Sequence, residues 1–135
     1  MAKREEQLAW DSFKSGIPGR LSITRIENML GEATPDTNGT NRNGAMFWME
    51  LKADKEWPKR STTCPLRGAF EKGQLSFLRQ QISWNANAFV LYRVGREYLL
   101  LNPSLDLEAM TKEDIIKSAF ATTKNGVIEY LEQLT

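Results

Sequence analysis

The chain has 135 residues, with 18 Lys and Arg against 17 Asp and Glu, one cysteine and no histidine. The length fits one domain with a core of its own, and a single cysteine excludes both an internal disulfide framework and a multi-cysteine zinc site. Without histidine there is no Ser-His-Asp or Cys-His catalysis and no His-ligated zinc, so any chemistry must come from carboxylates, lysine, tyrosine or serine. No apolar run approaches the ~20 residues that span a bilayer. The opening MAKREEQ lacks the apolar core of a signal peptide. The expected location is the cytoplasm.

Residues 3–15 place Leu8, Trp10 and Phe13 near helical spacing, with Ile17 beyond, and predict an amphipathic helix ended by Gly16, Pro18 and Gly19. Ser22 reads as an N-cap. Ile23, Ile26, Met29 and Leu30 then predict a second short helix, closed by Gly31. Residues 32–44 carry Pro35 and two Asn-Gly pairs, which is turn chemistry. Residues 45–53 (AMFWMELKA) predict a central strand that emerges at its charged end. A basic, proline-containing loop covers 54–68, and 69–84 fits a helix. Residues 88–94 and 97–101 flank Gly95-Arg96 and predict a hairpin. Thr111 opens a helix with a capping-box pattern. A last helix over 127–134 follows Gly126. This order predicts a small α/β domain with a mixed sheet. Trp10, Trp48 and Trp84 are expected in its core.

The near-neutral balance hides a local asymmetry. Residues 52–79 hold seven basic residues against three acids, a net of +4, whereas residues 102–135 net −3. A basic segment on a neutral protein suits a polyanion surface or a solvated loop. Lys59, Arg60, Arg67 and Lys72 are its candidate phosphate contacts. Trp57, before Pro58, either stacks on a base or packs over the loop. Cys64 has no histidine base and receives no chemistry.

One group of residues carries a chemical pattern. Residues 50 and 52 of a strand share a face, so Glu50 and Lys52 project together while Leu51 points to the other side. If the chain around Asp36 lies alongside, two carboxylates meet in an oxygen-rich site suited to Mg²⁺ or Mn²⁺. A lysine beside them can orient a water or stabilise charge on a phosphate.

Pro35-Asp36, thirteen intervening residues and Glu50-Leu51-Lys52 resemble the signature of the PD-(D/E)xK nuclease superfamily. The wider run, with Thr24–Asn28, Trp48–Lys52, Trp57-Pro58 and Gln74, is similar to small phage-encoded nucleases of the VRR-NUC and Holliday-junction-resolvase branches. The likeness covers about residues 20–101 of a single nuclease domain and leaves 102–135 as a C-terminal helical extension. It implies a restriction-endonuclease-like α/β core, a mixed sheet flanked by helices. It also implies a Mg²⁺- or Mn²⁺-dependent endonuclease acting on branched DNA, Holliday junctions above all, as a homodimer in the host cytoplasm. By the same likeness Asp36, Glu50 and a helical Glu27 are metal ligands, Lys52 is the catalytic lysine, and Gln74 positions the lysine or the scissile phosphate. In many relatives an apolar strand follows the aspartate, whereas here residues 37–42 are polar and loop-like. The alternative is a non-catalytic phage DNA-binding accessory protein on the same scaffold.

Overall fold

A computed structural model describes the backbone of residues 2–26 and 34–135, with side chains from Arg4 onward. In chain order the elements are α1 (Ala2–Lys14), β1 (Ser22–Arg25), β2 (Thr37–Thr40), β3 (Met46–Asp54), α2 (Gln74–Ser83), β4 (Asn87–Val94) and β5 (Glu97–Leu101). A 3-10 turn (Leu107–Ala109), α3 (Lys112–Ser118) and α4 (Lys124–Glu132) follow. The strands form one mixed sheet in the order β1-β2-β3-β4-β5. Only β3 and β4 run parallel, joined by a crossover through α2; the other pairs are antiparallel. The architecture is the α/β sheet flanked by helices that the sequence predicts.

Each face of the sheet buries its own core, as the period of two requires. Phe47, Met49 and Leu51 of β3 pack with Phe89 and Leu91 of β4 against Trp10 and Phe13 of α1 and Val127, Ile128 and Leu131 of α4. On the opposite face Val90, Tyr92, Leu99 and Leu101 pack against Leu78 of α2 and Ile115 of α3. The two tail helices therefore fold back on opposite sides of their own sheet. Each of these buried apolar side chains contributes about 1.5–3 kcal/mol to folding.

Several elements differ from the sequence expectation. At the start of the helix predicted from Ser22, residues Ser22–Arg25 instead form strand β1, with burial alternating exposed and half-buried, while Met29, Leu30 and Gly31 lie outside the described residues. The Ile23 spacing fits either period over four residues, and pairing with β2 decides. Residues 37–40, predicted as a turn, form β2. Thr37 is fully buried and donates its hydroxyl to Met49 O at 2.8 Å. Gly39 leaves room for a ring: a Cβ there would lie 2.2 Å from Phe47 Cζ. The first Asn-Gly is thus within a strand, and the second makes the turn, with Gly44 at φ 82°. Asn41 knits that turn together: its Oδ1 accepts from Asn43 N and Ala45 N, and its Nδ2 donates to Leu131 O and Leu134 O of the chain's end.

Helix α2 starts at Gln74 rather than 69, behind Gly73 in a left-handed conformation. Helix α4 starts three residues before the predicted Val127, because Thr123 caps it by accepting from Gly126 N. Gly126 sits inside the helix, not between two. The capping box at Thr111 and Asp114 is present as predicted. Trp10 is buried, Trp48 is half-buried against Phe77, and Trp84 is 78% exposed, so Trp84 does not belong to the core.

The contact between Gly39 and Phe47 gives a direct check. Gly39→Ala is expected to destabilise the protein by about 1–3 kcal/mol, because the new methyl overfills a closed space. Phe47→Leu in the same chain should recover part of that loss. Urea unfolding measures both, and an unchanged midpoint for Gly39→Ala would show that the ring has room to move.

Candidate active site

The candidate residues meet where the sheet opens. Strand β2 ends at Thr37, opposite Met49, so among the described residues the last five positions of β3 have no partner on that edge. The first exposed donor, Leu51 N–H, is taken by a side chain: it donates to Asp36 Oδ2 at 2.9 Å. Pro35 before it is buried and fixes the chain's approach. Asp36 thereby stands against the strand edge beside Glu50, although the polar residues after it form a strand rather than the expected loop.

Strand alternation does the rest. Leu51 is buried in the α1/α4 core, while Glu50 and Lys52 point to the opposite face. Lys52 Nζ lies 3.5 Å from Glu50 Oε2. It donates to Gln74 Oε1 at 3.2 Å, and its ammonium stands 5.1 Å from the centre of the Phe70 ring. Gln74, the first residue of α2, also accepts from Glu71 N through the same oxygen at 2.9 Å, which fixes its amide. Gln74 thus holds the lysine head in place.

The burial is unusual for charged groups. Among the described residues five polar or charged side chains are buried, and three of them are Glu50, Lys52 and Gln74, at 1%, 7% and 8% exposure. Charged side chains are almost never buried unless paired. Lys52 is paired. Glu50 Oε1, by contrast, is buried without a hydrogen-bond partner. Burial pushes the Glu50 carboxyl up to about 8, the Asp36 charge adds to the rise, and Lys52 opposes it.

A third carboxylate also raises Glu50 through its charge, and it comes from α1: Glu6. The sequence reading missed it and placed the helical glutamate at Glu27, which lies outside the described residues. The signal was there. Glu6 falls four and seven residues before Trp10 and Phe13, on the buried stripe of the helix. A carboxylate on an apolar stripe needs a reason, whereas one on the solvated face does not.

Chemically, the donors are hard oxygens. An orphaned carboxylate oxygen beside a second carboxylate fits a divalent cation of the Mg²⁺ type, which takes one or two carboxylates and fills its remaining positions with water and phosphate oxygens. Among the described residues no three His, Cys, Asp or Glu side chains are spaced to hold a metal ion. Asp36 and Glu50 are the two carboxylates that meet at the strand edge.

The four basic candidates are separate from this cluster. Lys59, Arg60, Arg67 and Lys72 are all exposed on the loop that leaves β3 at Asp54 and returns at Gln74, so both ends of the loop are anchored at the site. Arg67 reaches only Cys64 Sγ, at 3.8 Å.

No protein-family model matches the chain, and no curated protein matches it. Thirteen solved chains match it in three dimensions. One is Hjc of Archaeoglobus fulgidus, a Holliday junction resolvase from an archaeal hyperthermophile. In fold, the chain is similar to that resolvase. The TM-score is 0.58 at 12% identity, over 92% of this chain and 97% of the other. Covering 92% of 135 residues, the match extends beyond residues 20–101 on both sides. Among the described residues no helix is long and apolar enough to cross a membrane.

The raised Glu50 carboxyl sets the pH dependence of folding. Its proton is held more tightly in the folded chain, where it titrates near 8, than in the unfolded chain, where it titrates near 4.5. Stability from this group is therefore complete below about 4.5 and is lost as pH rises through about 8. With no histidine, little else titrates between pH 5 and 8. In EDTA the melting temperature should fall across that window, and Glu50→Gln should flatten the fall and melt higher than the parent at pH 8. Parallel pH profiles for the two proteins would contradict the assignment.

Proposed function

We propose that the protein is a metal-dependent endonuclease that hydrolyses phosphodiester bonds in branched DNA, with the four-way junction as its preferred substrate. The observation that carries this reading is the burial of Glu50, Lys52 and Gln74 in one contact network next to Asp36. A scaffold that served only to bind DNA would have no physical reason to bury a carboxylate and an ammonium together. The resolvase-like fold and the PD-(D/E)xK-like spacing of Asp36, Glu50 and Lys52 support the same reading. The resemblance of the sequence to small phage-encoded nucleases supports a role in phage recombination, repair or replication, in the host cytoplasm.

Asp36 and Glu50 would hold Mg²⁺ or Mn²⁺, with Glu6 adding negative charge from α1 and Glu27 a further candidate. An ion held there would supply positive charge for the phosphate and a lowered pKa for a nearby water. Lys52, fixed by Gln74, places its ammonium against the non-bridging oxygens, where negative charge grows as water attacks. Gln74 acts through Lys52 and is a positioning residue. Lys59, Arg60, Arg67 and Lys72 grip the flanking backbone through non-sequence-specific phosphate contacts.

Paired cuts across a junction need two active sites, so the functional unit is a homodimer. The tail helices bury Ile115, Val127, Ile128 and Leu131 on their own sheet. The supporting surface is at the other end of β3, where Met46 is 59% and Trp84 78% exposed beside the Trp48–Phe77 pair. These four residues carry no charge, so the patch can face its own copy across a two-fold axis without repulsion.

Asp36→Ala, Glu50→Ala and Lys52→Ala should each slow cleavage by at least about 100-fold while leaving the chain folded. A panel of four-way junction, flap, nicked duplex and plain duplex with Mg²⁺ or Mn²⁺ is the assay. Cleavage of none of them would overturn the nuclease reading; equal rates on all would remove the junction preference alone.

Light scattering should give about twice 15.4 kDa for the parent and 15.4 kDa for the Met46→Lys, Trp84→Glu double variant. A monomeric parent, free and on junction DNA, would remove the dimer.

A further inference from the structure

A second concavity opens one strand step beyond the candidate active site. Glu50, Lys52 and Asp54 alternate onto the same face of β3, so Asp54 lies roughly 7 Å along the strand from Lys52. There the strand end and the basic loop form an open concavity of about 340 Å³, whose lining includes Asp54, Glu56, Trp57, Pro58, Lys59 and Pro65. That volume is at the lower end of small-ligand sites.

The walls are of two kinds. Trp57, Pro58 and Pro65 are flat and apolar. Trp57 is held rather than free: its Nε1 donates to Glu97, and its ring meets Tyr92 edge-on with centres 5.7 Å apart. The Lys112 ammonium stands 5.2 Å from the centre of the same ring. Asp54 and Glu56 supply the other wall. Tyr92 donates its hydroxyl to Asp54 Oδ2, which orients that carboxylate and leaves it capacity to accept more.

This combination selects against two obvious occupants. Asp54 and Glu56 outnumber Lys59 in the lining, which disfavours a phosphate there. An indole and two prolines offer nothing to a hydrated cation. A flat, aromatic, amine-bearing group satisfies both walls: its face stacks on the indole and its exocyclic N–H groups donate to the carboxylates. Lys59, in the lining, and Lys112, over the indole, can meet the phosphate of the same residue.

We propose that this cavity receives an unpaired nucleobase from the nucleotide next to the scissile phosphate, with adenine and cytosine favoured over thymine because they carry an exocyclic amine. The proposal rests on the nuclease reading for its DNA substrate. It adds a specificity-determining subsite, with Trp57 as the stacking platform and Asp54 as the acceptor. The chain would then read branch points partly through the bases that a branch leaves unstacked.

Cys64 provides a readout that needs no cleavage. It is the single cysteine, free and half-buried, and it lines the cavity. The rate of its modification by a thiol reagent is measured in EDTA, with a duplex carrying one unpaired adenine and with the same duplex abasic at that position. The unpaired adenine should slow modification at least fivefold and the abasic duplex should not. Trp57→Ala should abolish the protection and Trp57→Phe should keep most of it. Asp54→Asn should reduce the advantage of adenine over thymine. Equal protection by the abasic duplex, no protection by either, or protection unchanged in Trp57→Ala would overturn the subsite. Deoxyadenosine monophosphate against deoxyribose 5-phosphate repeats the comparison without duplex contacts, and protection by the sugar phosphate alone would assign the cavity to phosphate. Failure of the nuclease reading would show separately, as absence of cleavage by a protein whose Cys64 is still protected.

Discussion

A carboxylate buried beside another carboxylate is an unfavourable arrangement, and the rest of this structure is arranged to hold it. Glu50 is 1% exposed, has an oxygen without a hydrogen-bond partner and is raised to about 8 by burial and by Asp36. Left alone, such a group would draw the strand toward solvent. It stays because the residues on both sides of it are committed elsewhere. Met49 and Leu51 are fixed in the α1/α4 core, and the parallel pairing of β3 with β4 locks the register from Phe47 to Asp54. Core burial thus supplies the stability that the site gives up, which is how strained functional groups persist in folded proteins.

The same constraint explains why the sheet is interrupted where it is. Had β2 run on past Thr37, its backbone would have taken the Leu51 N–H, and no side chain could have stood there. Instead Asp36 accepts that proton and is brought up to Glu50. Lys52 offsets part of the charge, and Gln74 keeps it from swinging out. Gln74 is able to do this because Gly73 adopts φ 89° and starts α2 at that residue. Four side chains from three segments are thereby fixed by backbone decisions made in the sheet and at one glycine.

Much of this was legible in the amino-acid sequence, for identifiable reasons. Strand β3, the β4–β5 hairpin and the capped α3 were readable because apolar density, a Gly-centred turn and a capping box are local signals. So was the shared face of Glu50 and Lys52, which needs only the strand period. Strands β1 and β2 were not readable. Ser22–Arg25 and Thr37–Thr40 are polar and four residues long, and what makes them strands is the neighbour each pairs with. Gly39 reads as a turn residue until the Phe47 ring above it is known. Trp84 reads as core by residue type, yet it caps α2 with 78% of its surface exposed. Glu6 was hidden for the opposite reason: a charge near the start of an amphipathic helix reads as solvated unless its place on the buried stripe is counted.

The central claim is that Asp36 and Glu50 form the protein's part of a divalent cation site. It is tested most directly by the melting temperature at pH 8 with EDTA and with millimolar Mn²⁺. An ion that binds only the folded chain stabilises it in proportion to the logarithm of its concentration over its dissociation constant. The parent should melt several degrees higher with Mn²⁺, Glu50→Gln should show almost no shift, and Arg60→Ala should shift like the parent. A parent that does not respond to Mn²⁺, or a Glu50→Gln variant that responds equally, would contradict the account.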